Sequence, residues 1–144
     1  LQECDHCETS ELAYAHIAPL LSALAVELGK TPEELVIYDP YFCQGSTVRR
    51  LASLGFPRVY NRNEDFYEAV KSGTVPDYDV LVTNPPFSGE HVPKILSFCA
   101  RQGAKPWLLL MPNYVYLKDY YEPSLRSGSS RGATFPFYLT PPKR

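Results

Sequence analysis

The apolar run Val80-Leu81-Val82-Thr83 stops at Asn84-Pro85-Pro86-Phe87, and this junction constrains the fold more than any other feature of the chain. A short, β-branched apolar run of this kind reads as a buried strand. Consecutive prolines lack N–H groups and have a restricted φ, so neither a strand interior nor a helix interior continues through them. The strand must end there, in a loop whose carbonyls are held rigidly and lie outside any ladder.

Strands and helices alternate around this junction. Ile17, Leu20, Leu21, Leu24 and Leu28 recur at helical spacing, which predicts a helix from Thr9 to Leu28 with Thr9 or Ser10 as cap and Gly29 as stop. Pro19 is expected to kink or restart it. Leu35–Tyr38 reads as a strand leading through Asp39-Pro40 and Gly45-Ser46 into a helix over about 47–54. A very short strand over 58–61, a short helix over 65–72 and the strand Val80–Thr83 follow. Val92, Ile95, Leu96 and Cys99 mark an amphipathic helix ending near Gly103, and Trp107–Met111 reads as another strand. A Tyr-rich, partly helical stretch, a basic loop over 127–132 and a last strand over 135–139 complete the chain. Strands alternating with helices at short spacing predict a single α/β domain over residues 1–144, with a mostly parallel sheet and helices on both faces.

Composition narrows the class. No stretch approaches the roughly 18 consecutive apolar residues of a membrane helix, and no secretory leader is visible. The spacing of Cys4, Cys7, Cys43 and Cys99 is not that of a disulfide scaffold, so an intracellular compartment is expected, cytoplasm and nucleus being indistinguishable. The formal charge of −2 is unevenly spread: residues 1–100 sum to about −7 and residues 101–144 to about +5. That asymmetry fits either a surface for a polyanion near the C-terminal end or a solvated basic face.

In an open parallel sheet, ligands bind beyond the carboxyl ends of the strands. The first strand ends in Asp39-Pro40-Tyr41-Phe42-Cys43-Gln44-Gly45-Ser46-Thr47, where a glycine lets backbone approach a ligand and a helix N-terminus offers N–H groups. At Asn84–Phe87 the asparagine side chain and proline carbonyls accept the two hydrogens of an –NH2 group, and Phe87 offers a stacking face. Binding an amine this way localises its lone pair and makes it a better nucleophile toward an electrophilic methyl carbon.

With these two motifs the chain resembles the class I S-adenosylmethionine-dependent methyltransferases, in the amino-methyltransferase subgroup with an Asn/Asp-Pro-Pro-Tyr/Phe motif that includes adenine-N6 enzymes of DNA and RNA. The resemblance implies a Rossmann-like three-layer α/β/α sandwich, here lacking one C-terminal strand. It implies S-adenosyl-L-methionine as cofactor and Asn84, Pro85, Pro86 and Phe87 as catalytic residues. The implied cofactor residues are Thr9, Asp39, Tyr41, Phe42, Gly45, Ser46, Asn61, Glu64, Asp65 and Asn84, either Glu64 or Asp65 being the ribose ligand. Glu8-Thr9-Ser10 is similar to the segment that closes over the methionine end. The chain departs from the family's glycine-rich turn in keeping only Gly45, with Tyr41 and Cys43 at the other small-residue positions.

The implied substrate is adenine in RNA or DNA, flipped out of any stack, with substrate recognition supplied either by a partner protein or by chain beyond the given sequence, and no membrane involved. Tyr114, Tyr116, Tyr120 and Tyr121, interleaved with Lys118, read either as a platform for flanking bases or as packing residues. Two other readings share the motif: methylation of a protein glutamine amide, and a catalytically silent relative that binds nucleic acid or a partner. Cys4-Asp5-His6-Cys7 has no second ligand pair at zinc spacing, so no metal site is expected. His16 is expected at the first helix's surface or in packing, and His91 at a solvated helix start.

Overall fold

In the computed structural model, which describes residues 8–128 and 135–142, the apolar runs form four parallel strands in the order β2-β1-β3-β4. β1 is Ile37–Tyr38, β2 Val59–Tyr60, β3 Val80–Thr83 and β4 Trp107–Leu109. The helices are α1 (Glu11–Glu27), α2 (Ser46–Ser53), α3 (Phe66–Ser72), α4 (His91–Arg101) and α5 (Tyr121–Arg126), with a single 3-10 turn at Val115–Leu117. This is a mixed α/β fold with an all-parallel sheet. From β1 the chain moves outward to β2, then crosses back to place β3 on the other side of β1. The strand order thus reverses between β1 and β3.

The chain divides into two compact units: Leu1–Asn84 with Pro106–Leu110, and Pro85–Lys105 with Met111–Arg144. The first holds the sheet. Its core joins Tyr14, Leu21 and Ala25 of α1, Leu51 of α2 and Phe56 to Ile37, Val80 and Val82 of the strands. Strand side chains alternate between faces. Tyr38, next to Ile37, accordingly lies away from that cluster, its ring edge-on to Phe66 of α3 at 6.4 Å and beside Tyr78 at 5.3 Å.

Local signals explain the helix limits. Ser10 caps α1 by accepting from the Ala13 N–H at 3.2 Å, and Asp65 caps α3 by accepting from the N–H groups of Tyr67 and Glu68. α1 runs through Pro19 without a restart. The proline forfeits one backbone bond, while Tyr14, Leu21 and Ala25 on either side are buried in the core.

β1 is shorter than the apolar run that contains it. The Val36 N–H is taken by the Asp79 carboxylate at 2.8 Å, and its carbonyl accepts from the N–H groups of Asp79 and Val80 at 2.9 and 3.2 Å. β4 likewise ends at Leu109 rather than Met111.

In the second unit, α4 buries Val92, Ile95, Leu96, Phe98 and Cys99, and α5 buries Tyr121, Ser124 and Leu125. A Cβ at Gly128 would collide with the Ala100 carbonyl oxygen, so the chain after α5 passes α4 too closely for a side chain there. The expected strand over 135–139 does not form. Pro136 has no N–H to give a ladder, and Phe137 is 99% exposed rather than packed on a sheet. The basic loop lies outside the described residues from position 129 to 134, and Cys4–Cys7 lies outside them entirely. Cys43 and Cys99 are free thiols, and burial raises the Cys99 thiol pKa. No helix among the described residues is long and apolar enough to cross a membrane.

Candidate functional site

The loop after β1 is built around one buried carboxylate. Asp39 is 5% exposed, and its backbone N–H still belongs to the sheet, donating to the Tyr60 carbonyl at 3.0 Å. Its Oδ1 accepts from the Thr83 hydroxyl at 2.5 Å and from the Tyr41 N–H at 3.2 Å. Its Oδ2 accepts from the Thr47 hydroxyl at 3.2 Å. The Thr47 oxygen lies 2.9 Å from the Tyr14 hydroxyl, so the network reaches α1. One side chain therefore ties together the ends of β1 and β3 and the first turn of α2. Burial raises its carboxyl pKa to about 6, opposed by the bonds from Thr83, the Tyr41 N–H and Thr47.

The turn into α2 depends on Gly45, which caps the helix at φ +79, a left-handed conformation that side-chain-bearing residues rarely adopt. A Cβ there would also press to 3.3 Å from the Phe42 ring. Gly45 has no side chain with which to cap α2, and a helix start carries partial positive charge on its leading N–H groups.

A recess of about 290 Å3, open to solvent, lies over this turn. It is lined by Glu8, Thr9, Asp39, Tyr41, Cys43, Gln44, Gly45, Thr47 and Asn84. All belong to the sheet-bearing unit. It is a shallow surface recess whose lining is predominantly polar. It occupies the carboxyl end of the sheet where strand order reverses, the position at which open α/β sheets bind ligands.

Of the residues expected at a cofactor site, the recess brings together Thr9, Asp39, Tyr41, Gly45 and Asn84. The remaining five do not line the recess. Phe42 places its ring beneath Gly45, and Ser46 is buried as the first residue of α2. Asn61 donates to the carbonyls of Asp39 and Tyr41 at 3.1 and 3.3 Å, bracing the loop from the end of β2. Glu64 is engaged by the Tyr60 hydroxyl at 2.8 Å. Asp65 serves as the α3 cap. Neither acidic residue lines the recess.

Pro85, Pro86 and Phe87 follow Asn84 directly in the second unit, the prolines buried and Phe87 41% exposed. His16 is exposed on α1, and His91 is the first residue of α4.

Glu8, Cys43, Gln44 and Thr47 line the recess without having been singled out as ligand residues. Thr47 was legible as the hydroxyl following the Gly-Ser turn. Glu8 was visible only as part of the Glu8-Thr9-Ser10 segment, and its pairing with Arg50 of α2 had no local signal. That guanidinium donates to the Thr9 carbonyl and stands 3.6 Å from Glu8 Oε2.

No protein-family model, no curated protein and no solved structure matches the chain. Function has to be argued from the site itself.

Proposed function

We propose that the chain is an S-adenosyl-L-methionine-dependent N-methyltransferase with a Rossmann-like, three-layer arrangement, acting on the exocyclic amino group of adenine in RNA or DNA. One observation carries the reading. A polar recess lies where strand order reverses, and it joins the Gly45 turn and Asp39 to Asn84, the first residue of the Asn-Pro-Pro-Phe motif.

The recess residues suit a small zwitterionic group. Glu8 Oε1 is buried without a hydrogen-bond partner, which offers an acceptor to a cation. Gly45 leaves room beside the uncapped start of α2, which offers N–H groups to a carboxylate. Less support comes from the ribose end, since neither Glu64 nor Asp65 lines the recess.

When bound, S-adenosylmethionine would supply an electrophilic methyl group. Asn84 Oδ1 and the Pro85 carbonyl would accept the two N–H groups of the substrate amine and orient its lone pair, and Phe87 would stack on the base. The chain's part is orientation and proximity, which need no acid–base dyad. A partner protein would supply recognition of the substrate.

Cys43, which lines the recess at a position where this family carries glycine, favours a second reading as a catalytically silent relative. Transfer of a radiolabelled methyl group from S-adenosylmethionine to adenine-containing RNA, adenine-containing DNA and a glutamine peptide decides among them. The expected result is label on adenine, lost by about 100-fold in Asn84→Ala, a loss of the size seen when one positioned polar group is removed from an active site. Label on the peptide alone would move the substrate to protein. Cofactor binding with no transfer to any of the three would favour the silent relative.

A further inference from the structure

Two carboxylates line the recess, and they differ in what they have left to give. Asp39 already accepts from the Thr83 hydroxyl, the Thr47 hydroxyl and the Tyr41 N–H. A carboxylate has about four acceptor positions, so Asp39 is nearly saturated by the protein. It acts as a fastener of the loop.

Glu8 is in the opposite state. Its Oε2 faces Arg50 at 3.6 Å, longer than a hydrogen bond, and its Oε1 is buried with no partner. A buried acceptor left unmade costs roughly 1–3 kcal/mol or more, and it persists where something other than the protein completes it. Arg50 does not complete it in this arrangement, its Nη2 standing 3.6 Å from Oε2 and none of its N–H groups bonding Oε1. Its Nη1 is committed to the Thr9 carbonyl, and its Nε is itself buried without a partner.

We infer that Glu8, rather than Asp39, is the recess's receptor for the cationic ammonium group of a bound ligand, and that Arg50 is the positioning residue that holds the Glu8–Thr9 segment in place for it. The inference rests on the proposed cofactor reading, whose ligand carries an α-ammonium group. It gives Asp39, expected among the cofactor residues, the role of loop fastener. Arg50 draws the segment against α2 through the Thr9 carbonyl and leaves Glu8 Oε1 available. A lysine at position 50 has no planar fork with which to serve both groups.

The test is a binding cycle with two ligands, S-adenosylhomocysteine and its deamino analogue, measured by calorimetry on the full chain. The wild type is expected to prefer the amine-bearing ligand by about tenfold or more, the effect of one charge-assisted hydrogen bond. In Glu8→Gln the two affinities converge to within about threefold, the deamino analogue being the internal control for folding. Glu8→Asp, one methylene shorter, falls between them. Arg50→Ala lowers the preference as well, whereas a merely structural role would weaken both ligands equally.

Full preference retained in Glu8→Gln would overturn the assignment. So would a wild type that binds both ligands equally well, and in that case the cofactor reading would stand. A wild type that binds neither ligand would remove the cofactor reading and this inference with it.

Discussion

The Thr83 hydroxyl donates to Asp39 Oδ1 at 2.5 Å, fastening the last residue of β3 to the residue that follows β1 across 44 positions of sequence. The bond crosses the point where strand order reverses, so the mouth of the recess is set by a side chain as well as by the ladder.

Thr83→Val keeps the shape of the side chain and removes the donor. A hydrogen bond to a charged group contributes ~1.5–3 kcal/mol, so the variant is expected to lose about 2 kcal/mol of unfolding free energy in urea titrations at pH 7. Thr83→Ser, which keeps the hydroxyl, should lose clearly less. Equal losses in the two variants would mean that the methyl group matters and the bond does not.

Asp39 gives the protein a distinctive dependence on pH. Burial raises its carboxyl pKa from 3.8 to about 6, so the folded chain holds this proton more tightly than the unfolded chain. The stability it contributes is complete below about pH 4 and is lost as pH rises through about 6, amounting to about 3 kcal/mol. Asp39→Asn has no such proton to lose. Unfolding free energies at pH 4.0 and pH 7.0 should therefore fall further in the wild type than in the variant, by an amount of that order. Parallel changes in the two proteins would show that Asp39 titrates alike in the folded and unfolded chains.

Gly45 is the one position in the turn where a side chain meets both a conformational and a steric obstacle. At φ +79 an alanine costs ~1–2 kcal/mol, and its Cβ must displace the Phe42 ring from 3.3 Å. Gly45→Ala is expected to lower the melting temperature and to weaken S-adenosylmethionine binding in calorimetry. A variant with unchanged melting and unchanged binding would mean that the turn relaxes freely.

The sequence made the strands easy to place because their apolar runs are bounded by Gly, Pro and Asp, and the Asn84-Pro85-Pro86 stop placed the end of β3 to the residue. Strand lengths were less legible. Whether Leu35 and Val36 join β1 depends on Asp79, a partner 43 positions away from Val36, and nothing local to Leu35–Tyr38 encodes that. Over 135–139 the aromatic run points to a strand, while Pro136 has no N–H to give a ladder. At the recess, Asp39, Gly45 and Asn84 were legible as unusual residues at strand ends. Glu64 and Asp65 looked equally suitable, but local geometry takes them elsewhere: a helix start needs a cap, and Tyr60 supplies a hydroxyl to Glu64. Glu8 was legible as part of the segment before the first helix, whereas its pairing with Arg50, which sits on a different helix, was not.

At the opposite end of the same strands, Asp79 permits a stability test that should leave the recess untouched. Both its oxygens lie 2.8 Å from Lys30 Nζ, and Oδ2 also accepts from the Val36 N–H at 2.8 Å. The two partners differ in what they lose when Asp79 is removed. Lys30, with 37% of its side chain exposed, can return to water, and such a pair contributes only ~0–1 kcal/mol. The Val36 N–H stands at the entry to β1 and loses its acceptor, at a cost of about 1–3 kcal/mol. Asp79→Asn keeps an acceptor for Val36 and should therefore cost less than about 1 kcal/mol, while Asp79→Ala costs the larger amount. Urea unfolding of the two variants separates the terms, and ligand binding in the recess should be unchanged in both. If Asp79→Asn proves as damaging as Asp79→Ala, the Lys30 ion pair and not the backbone bond secures the start of the sheet.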